Sequence, residues 1–357
     1  MKNKNVFLRD KVRGAFLGVA IGDAMGMPVE TMTAEEIGRL PGGGVDRYLP
    51  ALQRNPKSIR RFEAGQTTDD WQLTAAIARS LISCSGYDFQ DTVEEQVREL
   101  KISTAGWGKS TKRSLIEIKK FVDSNGTRGR NPVLPVDFSV TNHLDGGGCG
   151  NGVAMKIAPI GLMIALRPWV IRGSLLDIVV EQGQVTHADL RASIAAYAMA
   201  WLVCSLVREK IESTERRKLF MKWHRLFRAV HAAEVMFRGS FFQDAEMFSA
   251  RLDTVKYEFA SDCSLGMLVQ CIGGTSCYCL ESVPFAISVF FRHPTDFRAG
   301  IFEAVNAGGD TDSNASMAGA LIGANVGMTA IPEDMLHLPF EADPVIALAD
   351  KFFDALT

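Results

Sequence analysis

Residues 14–26 read Gly-Ala-Phe-Leu-Gly-Val-Ala-Ile-Gly-Asp-Ala-Met-Gly, with glycine at 14, 18, 22 and 26. The same spacing returns at Gly319, Gly323 and Gly327. Four residues is about one helical turn, so on a helix each set forms a smooth stripe. A glycine inside a helix costs up to about 1 kcal/mol against alanine, and close approach of a second helix offsets that cost. Apolar residues recur at three-to-four spacing over 71–83, 92–102, 112–122, 189–208, 216–237, 281–291 and 315–326. Alternating strand patterns are scarce, and the Ala-rich run 192–200 adds helix propensity. The expectation is an all-α fold, one domain spanning 1–357, with loops at 40–66, 124–152 and 272–280.

Composition narrows the function class. A chain of 357 residues has room for two domains at about 150 residues each, but no linker or repeat divides it. With 39 Lys+Arg against 41 Asp+Glu the net charge is -2, without the basic excess of a general nucleic-acid or membrane-surface binder. A hydrophobic fraction of 47% with 22% charged residues excludes global disorder. Seven scattered cysteines cannot all pair, which points to reduced thiols and a cytoplasmic location.

Two segments mimic membrane signals. Ala192–Val207 is apolar for 16 residues between Arg191 and Arg208, short of the roughly 20 that span a bilayer, and reads as a core helix. Arg9, Asp10, Lys11 and Arg13 precede the apolar 14–22, and Asp23 ends it without a good cleavage site, so a signal peptide is not expected. Segment 208–228 carries eight Lys/Arg and three Glu opposite a stripe of Leu219, Trp223, Leu226, Phe227 and Val230, and reads as a solvated helix face.

The chemistry concentrates in two acidic-hydroxyl clusters, Thr68-Asp69-Asp70 and Asp310-Thr311-Asp312-Ser313. Each follows a glycine-bearing loop (Gly65; Gly308-Gly309) and opens an expected helix. One such cluster alone reads as a helix cap. Two together, four carboxylates plus hydroxyls, match hard-cation ligation, because magnesium, manganese and calcium take oxygen ligands and carboxylates bridge ion pairs. Asp310-x-Asp312-x-Asn314 is no EF-hand, since Ala315 stands at the turn glycine and Leu321 at the bidentate Glu. Gly108-Lys109-Ser110 lacks the first P-loop glycine, Ser103 standing there. Gly148-Cys-Gly150-Asn151-Gly152 follows no strand, yet such a turn can present N–H groups to phosphate. Asp23 is a helix-capping or metal-supporting candidate, and Asp145 a lesser acid–base one. His143, His224, His231, His293 and His337 show no ligand spacing, and Cys271, Cys277 and Cys279 lack the second pair of a zinc site.

These residues fall into an ordered set that resembles the ADP-ribosylglycohydrolases. Gly14 through Gly26-x-x-x-Glu30 is similar to the family's opening helix, and Gln66-Thr-Thr68-Asp69-Asp70 to its first metal motif. Gly106-Trp107-Gly108-Lys-Ser-Thr111, Gly150-Asn151-Gly152-x-x-Met155-Lys156 and Thr186-His187 resemble internal motifs in the same order. Asn306-Ala-Gly308-Gly309-Asp310-Thr-Asp312-Ser313 resembles the second metal motif. The resemblance implies an orthogonal helical bundle holding two Mg2+ or Mn2+ ions, and a hydrolase cleaving ADP-ribose from an acceptor at the distal ribose. It implies metal ligation by Thr68, Asp69, Asp70, Asp310, Asp312 and Ser313, and catalytic parts for Glu30, Asp69 and Asp312. Substrate contacts fall to Trp107, Gly108, Gly150, Asn151, Gly152 and His187. Ser313 stands where the family usually has Thr, Trp71 where a small hydroxyl residue is frequent, and Lys156 where Arg is frequent. The resemblance leaves the acceptor open among arginine, serine, another side chain, a nucleic-acid end and O-acetyl-ADP-ribose. Two rival readings are a two-metal phosphoesterase acting on the ADP-ribose pyrophosphate and a non-catalytic ADP-ribose binder.

Overall fold

The two glycine stripes meet at the centre of the molecule. In the computed structural model, helix α1 (Lys2–Gly26) lies antiparallel against the helix Thr311–Val326. A Cβ on Gly14, Gly18, Gly22 or Gly26 would strike the backbone at Gly323, Gly319, Ala315 or Thr311 respectively. The contact is backbone on backbone from Gly14 to Gly26, just over three turns of α1. The structure describes residues 2–51, 62–125, 148–167, 174–212, 215–237, 246–260, 263–337 and 339–357. His143 and Asp145 lie outside the described residues, as do 52–61 of the first expected loop and 126–147 of the second.

After α1 come α2 (Ala34–Gly38), α3 (Asp69–Ser83), α4 (Phe89–Glu99) and α5 (Lys109–Asn125). The middle of the chain forms α6 (Ala158–Leu166), α7 (Leu175–Thr186), α8 (Leu190–Arg208) and α9 (Arg216–Met236). Short helices α10 (Phe248–Thr254), α11 (Tyr257–Ala260) and α12 (Leu265–Ile272) follow. The last group is α13 (Cys279–Arg292), α14 (Phe297–Asn306), α15 (Thr311–Val326) and α16 (Ala342–Leu356). Among the described residues, extended pairing is limited to two isolated bridges, Thr33 with Gly308 and Gly150 with Tyr278. The fold is all-α, as the periodicity implies.

Local sequence explains many of the helix starts. Thr33 with Glu36 and Ser174 with Asp177 form capping boxes, and Asp88, Asp189, Ser264 and Asp296 accept from N–H groups of the turns they open. α15 is buried along its whole length, including Asn314 and Asn325. Asn325 repays its burial by bonding the Ile211 N–H and carbonyl at 2.7 and 2.9 Å. α16 locks to α1 through Arg13, which donates to both Asp350 oxygens at 2.8 and 2.7 Å, and through Phe16 edge-on to Phe352 at 5.2 Å.

The apolar run in 190–208 is a core helix, and 94% of the apolar window in 5–29 is buried. These two helices are long and apolar enough to cross a membrane by length and composition alone. The basic segment does form helix α9, with Leu219, Trp223, Leu226 and Val230 buried. Lys222 departs from the expected solvated face. It is buried and donates to Ser205 and Glu209 at 3.0 and 2.9 Å.

Candidate active site

The first turns of α3, α5 and α15 line one cavity of about 460 Å³, within the usual range of small-molecule sites. Their N–H groups give that cavity a positive backbone field, which suits both carboxylates and phosphate. Two distant chain segments are stitched together to build its floor. Thr31 N donates to Gly309 O at 2.7 Å and Gly309 N to Met32 O at 2.8 Å, which brings the loop after α1 onto the loop before α15. Thr31 sits at φ 70, a left-handed conformation that is strained for a β-branched residue. The strained residue directly follows Glu30, which lines the cavity.

Asp23 is the hub beneath this floor. Its carboxylate accepts from Thr68 N at 2.8 Å, Thr68 Oγ1 at 2.8 Å and Trp71 N at 3.0 Å, so it caps α3 from 45 residues away. Thr68 occupies the N-cap position but makes no side-chain cap bond, and neither does Asp310 at the start of α15. Neither residue therefore acts as a plain N-cap, although Asp69, Asp70 and Asp312 lie in the first helical turns, where the helix dipole favours a carboxylate.

Carboxylate oxygens gather in two groups, each within 4.8 Å: Asp23, Asp70 and Asp312, and Glu30, Asp310 and Asp312. Asp312 belongs to both. Burial pushes the Asp23 carboxyl up to about 6 and the Asp69 carboxyl up to about 7, and drives Asp70 and Asp312 well above the ordinary carboxylate range. Asp310 is raised for the same reason. The charges acting on Asp70 come from Asp23, Asp69 and Asp310, all of its own sign. Asp70 Oδ1 is buried with no hydrogen-bond partner among the described residues. Crowded, desolvated, partly orphaned oxygens that share one carboxylate fit a pair of hard divalent cations.

Most of the residues singled out by sequence meet at this cavity. Glu30, Asp69, Asp70, Asp310, Asp312 and Ser313 all line it, whereas Thr68 is buried behind it. Asp69 stands outside both carboxylate groups and accepts from Gly108 N at 3.1 Å. Ser313 Oγ donates to Asp70 Oδ2 at 3.2 Å. Trp107, Gly108, Gly150, Asn151, Gly152 and His187 also line the cavity. Asn151 Nδ2 donates to Asp310 Oδ2 at 2.6 Å, which ties the glycine loop to the second acidic cluster. His187 ends α7 and is buried, with Nδ1 2.9 Å from Thr186 Oγ1.

Two departures from the family pattern turn away from the cavity. Lys156 is fully buried and donates to Gln96 Oε1 at 2.7 Å, and burial lowers its ammonium to about 7. The Trp71 ring packs edge-on against Phe16 at 6.0 Å. Lys109, Ser110, Met155 and Cys277 line the cavity without having been singled out as site residues. Of these, Lys109 and Ser110 had a readable signal, the Gly-Lys-Ser run before an expected helix.

The sequence model of the ADP-ribosylglycohydrolase family matches residues 4–357. The ADP-ribosyl-[dinitrogen reductase] glycohydrolase of Rhodospirillum rubrum is 25% identical over 343 residues, covering 92% of this chain and 90% of that one. ADP-ribosylhydrolase ARH3 of Mus musculus is 26% identical over 336 residues, covering 90% and 85%. A solved structure described as an ADP-ribosylglycohydrolase-related protein complex superposes with a TM-score of 0.64 at 24% identity, over 98% of this chain and 99% of that one. With that fold, and with a family match over nearly its whole length, the chain belongs to the ADP-ribosylglycohydrolases.

Proposed function

We propose that this chain, acting as one domain over 1–357, is a metal-dependent hydrolase that frees ADP-ribose from a modified acceptor at the distal ribose. The observation that carries the reading is the convergence of two acidic clusters, some 240 residues apart in sequence (Asp70 to Ser313, a separation of 243), on the floor of one cavity. Asp69, Asp70, Asp310 and Asp312, with the hydroxyls of Thr68 and Ser313, would hold two Mg2+ or Mn2+ ions, with Glu30 reaching the same floor and Asp23 supporting it from beneath. When bound, such ions lower the pKa of water and stabilise developing charge. Glu30, at the cavity wall, moves a proton at its carboxylate, either to the leaving group or from the attacking water. Positive character grows on the ribose as the glycosidic bond breaks, and the surrounding carboxylates favour it. Gly150, Asn151 and Gly152 would line the pyrophosphate channel, with His187 near the ribose or phosphates, and the N–H groups opening α5 beside Lys109 would add to the field that attracts phosphate. The seven free thiols suit a cytoplasmic location.

Products discriminate the enzymatic readings. The hydrolase releases intact ADP-ribose from a modified acceptor, whereas attack on the pyrophosphate releases AMP. AMP as the sole nucleotide product refutes the proposal.

The glycine loop offers a test of substrate binding. A Cβ on Gly152 would lie 2.8 Å from His187 Cε1 and 2.9 Å from Thr111 Oγ1. Folded Gly152→Val, its side chain crowding this end of the cavity, should lose most of the rise in melting temperature that ADP-ribose gives the parent chain. An undiminished rise removes this loop from the site.

The acidic floor offers a test by pH. Asp23 and Asp69 titrate in the fold at about 6 and about 7, above the roughly 3.9 of an unfolded Asp. Between about pH 4 and 7 these two groups hold more protons in the folded apo chain than in the unfolded one, so their contribution to stability falls as pH rises through that window. Cations compete with those protons. Mg2+ should raise the melting temperature more at about pH 8 than at about pH 5.5, and a pH-independent rise contradicts ligation by this cluster.

A further inference from the structure

Cys149 and Cys279 face each other across the short antiparallel pairing that shapes the cavity rim. Cys279 N donates to Cys149 O at 3.0 Å and Asn151 N to Cys277 O at 2.9 Å, on either side of the Gly150–Tyr278 bridge. The two sulfurs lie 3.5 Å apart. A disulfide needs them at about 2.05 Å, so the gap closes by roughly 1.5 Å.

The two sides of the pair differ in stiffness. Cys279 is fully buried as the first residue of α13, twelve of whose fourteen residues are buried. Cys149 is half-buried and sits between Gly148, at φ 112, and Gly150. Packed helices resist displacement, whereas glycine-flanked backbone yields. Closure therefore moves Cys149 toward Cys279. Two residues on is Asn151, whose amide reaches Asp310 at 2.6 Å.

We propose that Cys149 and Cys279 are a redox modification site, which a peroxide converts to an intramolecular disulfide that pulls Asn151 off Asp310 and weakens ligand binding. The step balances with hydrogen peroxide as oxidant. The partly exposed Cys149 sulfur attacks the O–O bond, giving a sulfenic acid and one water. The Cys279 sulfur then attacks the Cys149 sulfur, forming the S–S bond and expelling a second water. The two thiols lose two electrons to peroxide, and their protons leave in the water. A thiol reductant reverses it.

The experiment treats the full chain with hydrogen peroxide, blocks free thiols, and maps peptides by mass spectrometry with and without reductant. In parallel, the ADP-ribose-induced shift in melting temperature is read on reduced and oxidised protein. The expected result is a Cys149–Cys279 linkage, lost on reduction, and an apparent ADP-ribose affinity about tenfold lower when oxidised, the scale of losing one hydrogen bond to a charged group. Cys149→Ser and Cys279→Ser should each abolish the response to peroxide, the first avoiding a change in the buried core. Full alkylation of both thiols after peroxide overturns the inference, as does a disulfide that leaves the ADP-ribose shift unchanged. The second readout rests on the proposed substrate. If reduced protein shows no ADP-ribose shift, that reading has failed instead. Amide exchange over 148–155 then decides, and exchange unaltered by oxidation overturns the coupling.

Discussion

Asp312→Asn folds, keeps an apo melting temperature at or above that of the parent chain, and loses at least about a hundredfold in turnover, about 2.7 kcal/mol of barrier. Its oxygens belong to both carboxylate groups, so one substitution touches both proposed cation positions. The like charges of Glu30, Asp310, Asp70 and Asp23 all disfavour ionising Asp312, on top of its burial. Replacing it with a neutral isostere relieves that repulsion in the apo protein. The Ser313 N–H, which donates to Asp312 Oδ1 at 2.9 Å, keeps an amide oxygen to bond. Stability and activity therefore part company. A cap residue behaves the other way, costing about 1 kcal/mol of stability while sparing turnover. Thermal melting and a single-turnover assay on the same preparation separate the two. A destabilised variant with normal turnover returns this cluster to a structural role.

The largest effect on folding is expected at Gly18. Its missing Cβ faces the carbonyl and carbon of Gly319 and the amide nitrogen of Ala320, all backbone atoms of α15. Nothing there is the yielding end of a side chain, so Gly18→Val must drive the two central helices apart. Overpacking a core costs about 1–3 kcal/mol when side chains can adjust. Here it should exceed the upper figure and take a large share of the roughly 5–15 kcal/mol that holds a domain folded. Soluble yield should collapse, or the urea midpoint fall sharply. Gly266→Ala is the control: it lies in α12 with no atom within 4 Å of the added carbon, and should be neutral or stabilising by up to about 1 kcal/mol. Equal behaviour of the two variants would mean that the stripe is not a contact.

The centre of the fold was legible because glycine at every fourth position has few other uses. The expected helices at 71–83, 112–122, 189–208, 216–237, 281–291 and 315–326 correspond to α3, α5, α8, α9, α13 and α15. The expected 92–102 overlaps α4, which starts earlier at its Asp88 cap. Helix α6 carried no stripe to read, because Ala-Pro-Ile-Gly-Leu-Met-Ile-Ala-Leu is apolar on all sides and buried on most of them. Helices α2, α7, α10, α11, α12, α14 and α16 also lie outside the expected set, although α7 and α16 carried the usual signals. Ser174 with Asp177 caps the first, and Val345, Ala349, Phe352, Phe353 and Leu356 form the buried stripe of the second.

The cavity residues were legible as motifs, but their wiring was not. Asp23 bonds backbone N–H groups of residues 68 and 71, and nothing in a side-chain pattern announces a backbone partner that far along the chain. The strained Thr31 turn is equally silent, since the Gly309 carbonyl to which its N–H donates lies far along the chain. The inward turn of Lys156 toward Gln96 depends on the packing of α4 against its neighbours.

The most direct test of the central claim is ADP-ribose release from modified acceptors, arginine- and serine-linked among them, with and without EDTA. Intact ADP-ribose should appear from at least one linkage, stop on chelation, and return when Mg2+ or Mn2+ is added to the stripped protein. Undiminished release from protein verified to be free of metal would contradict the account.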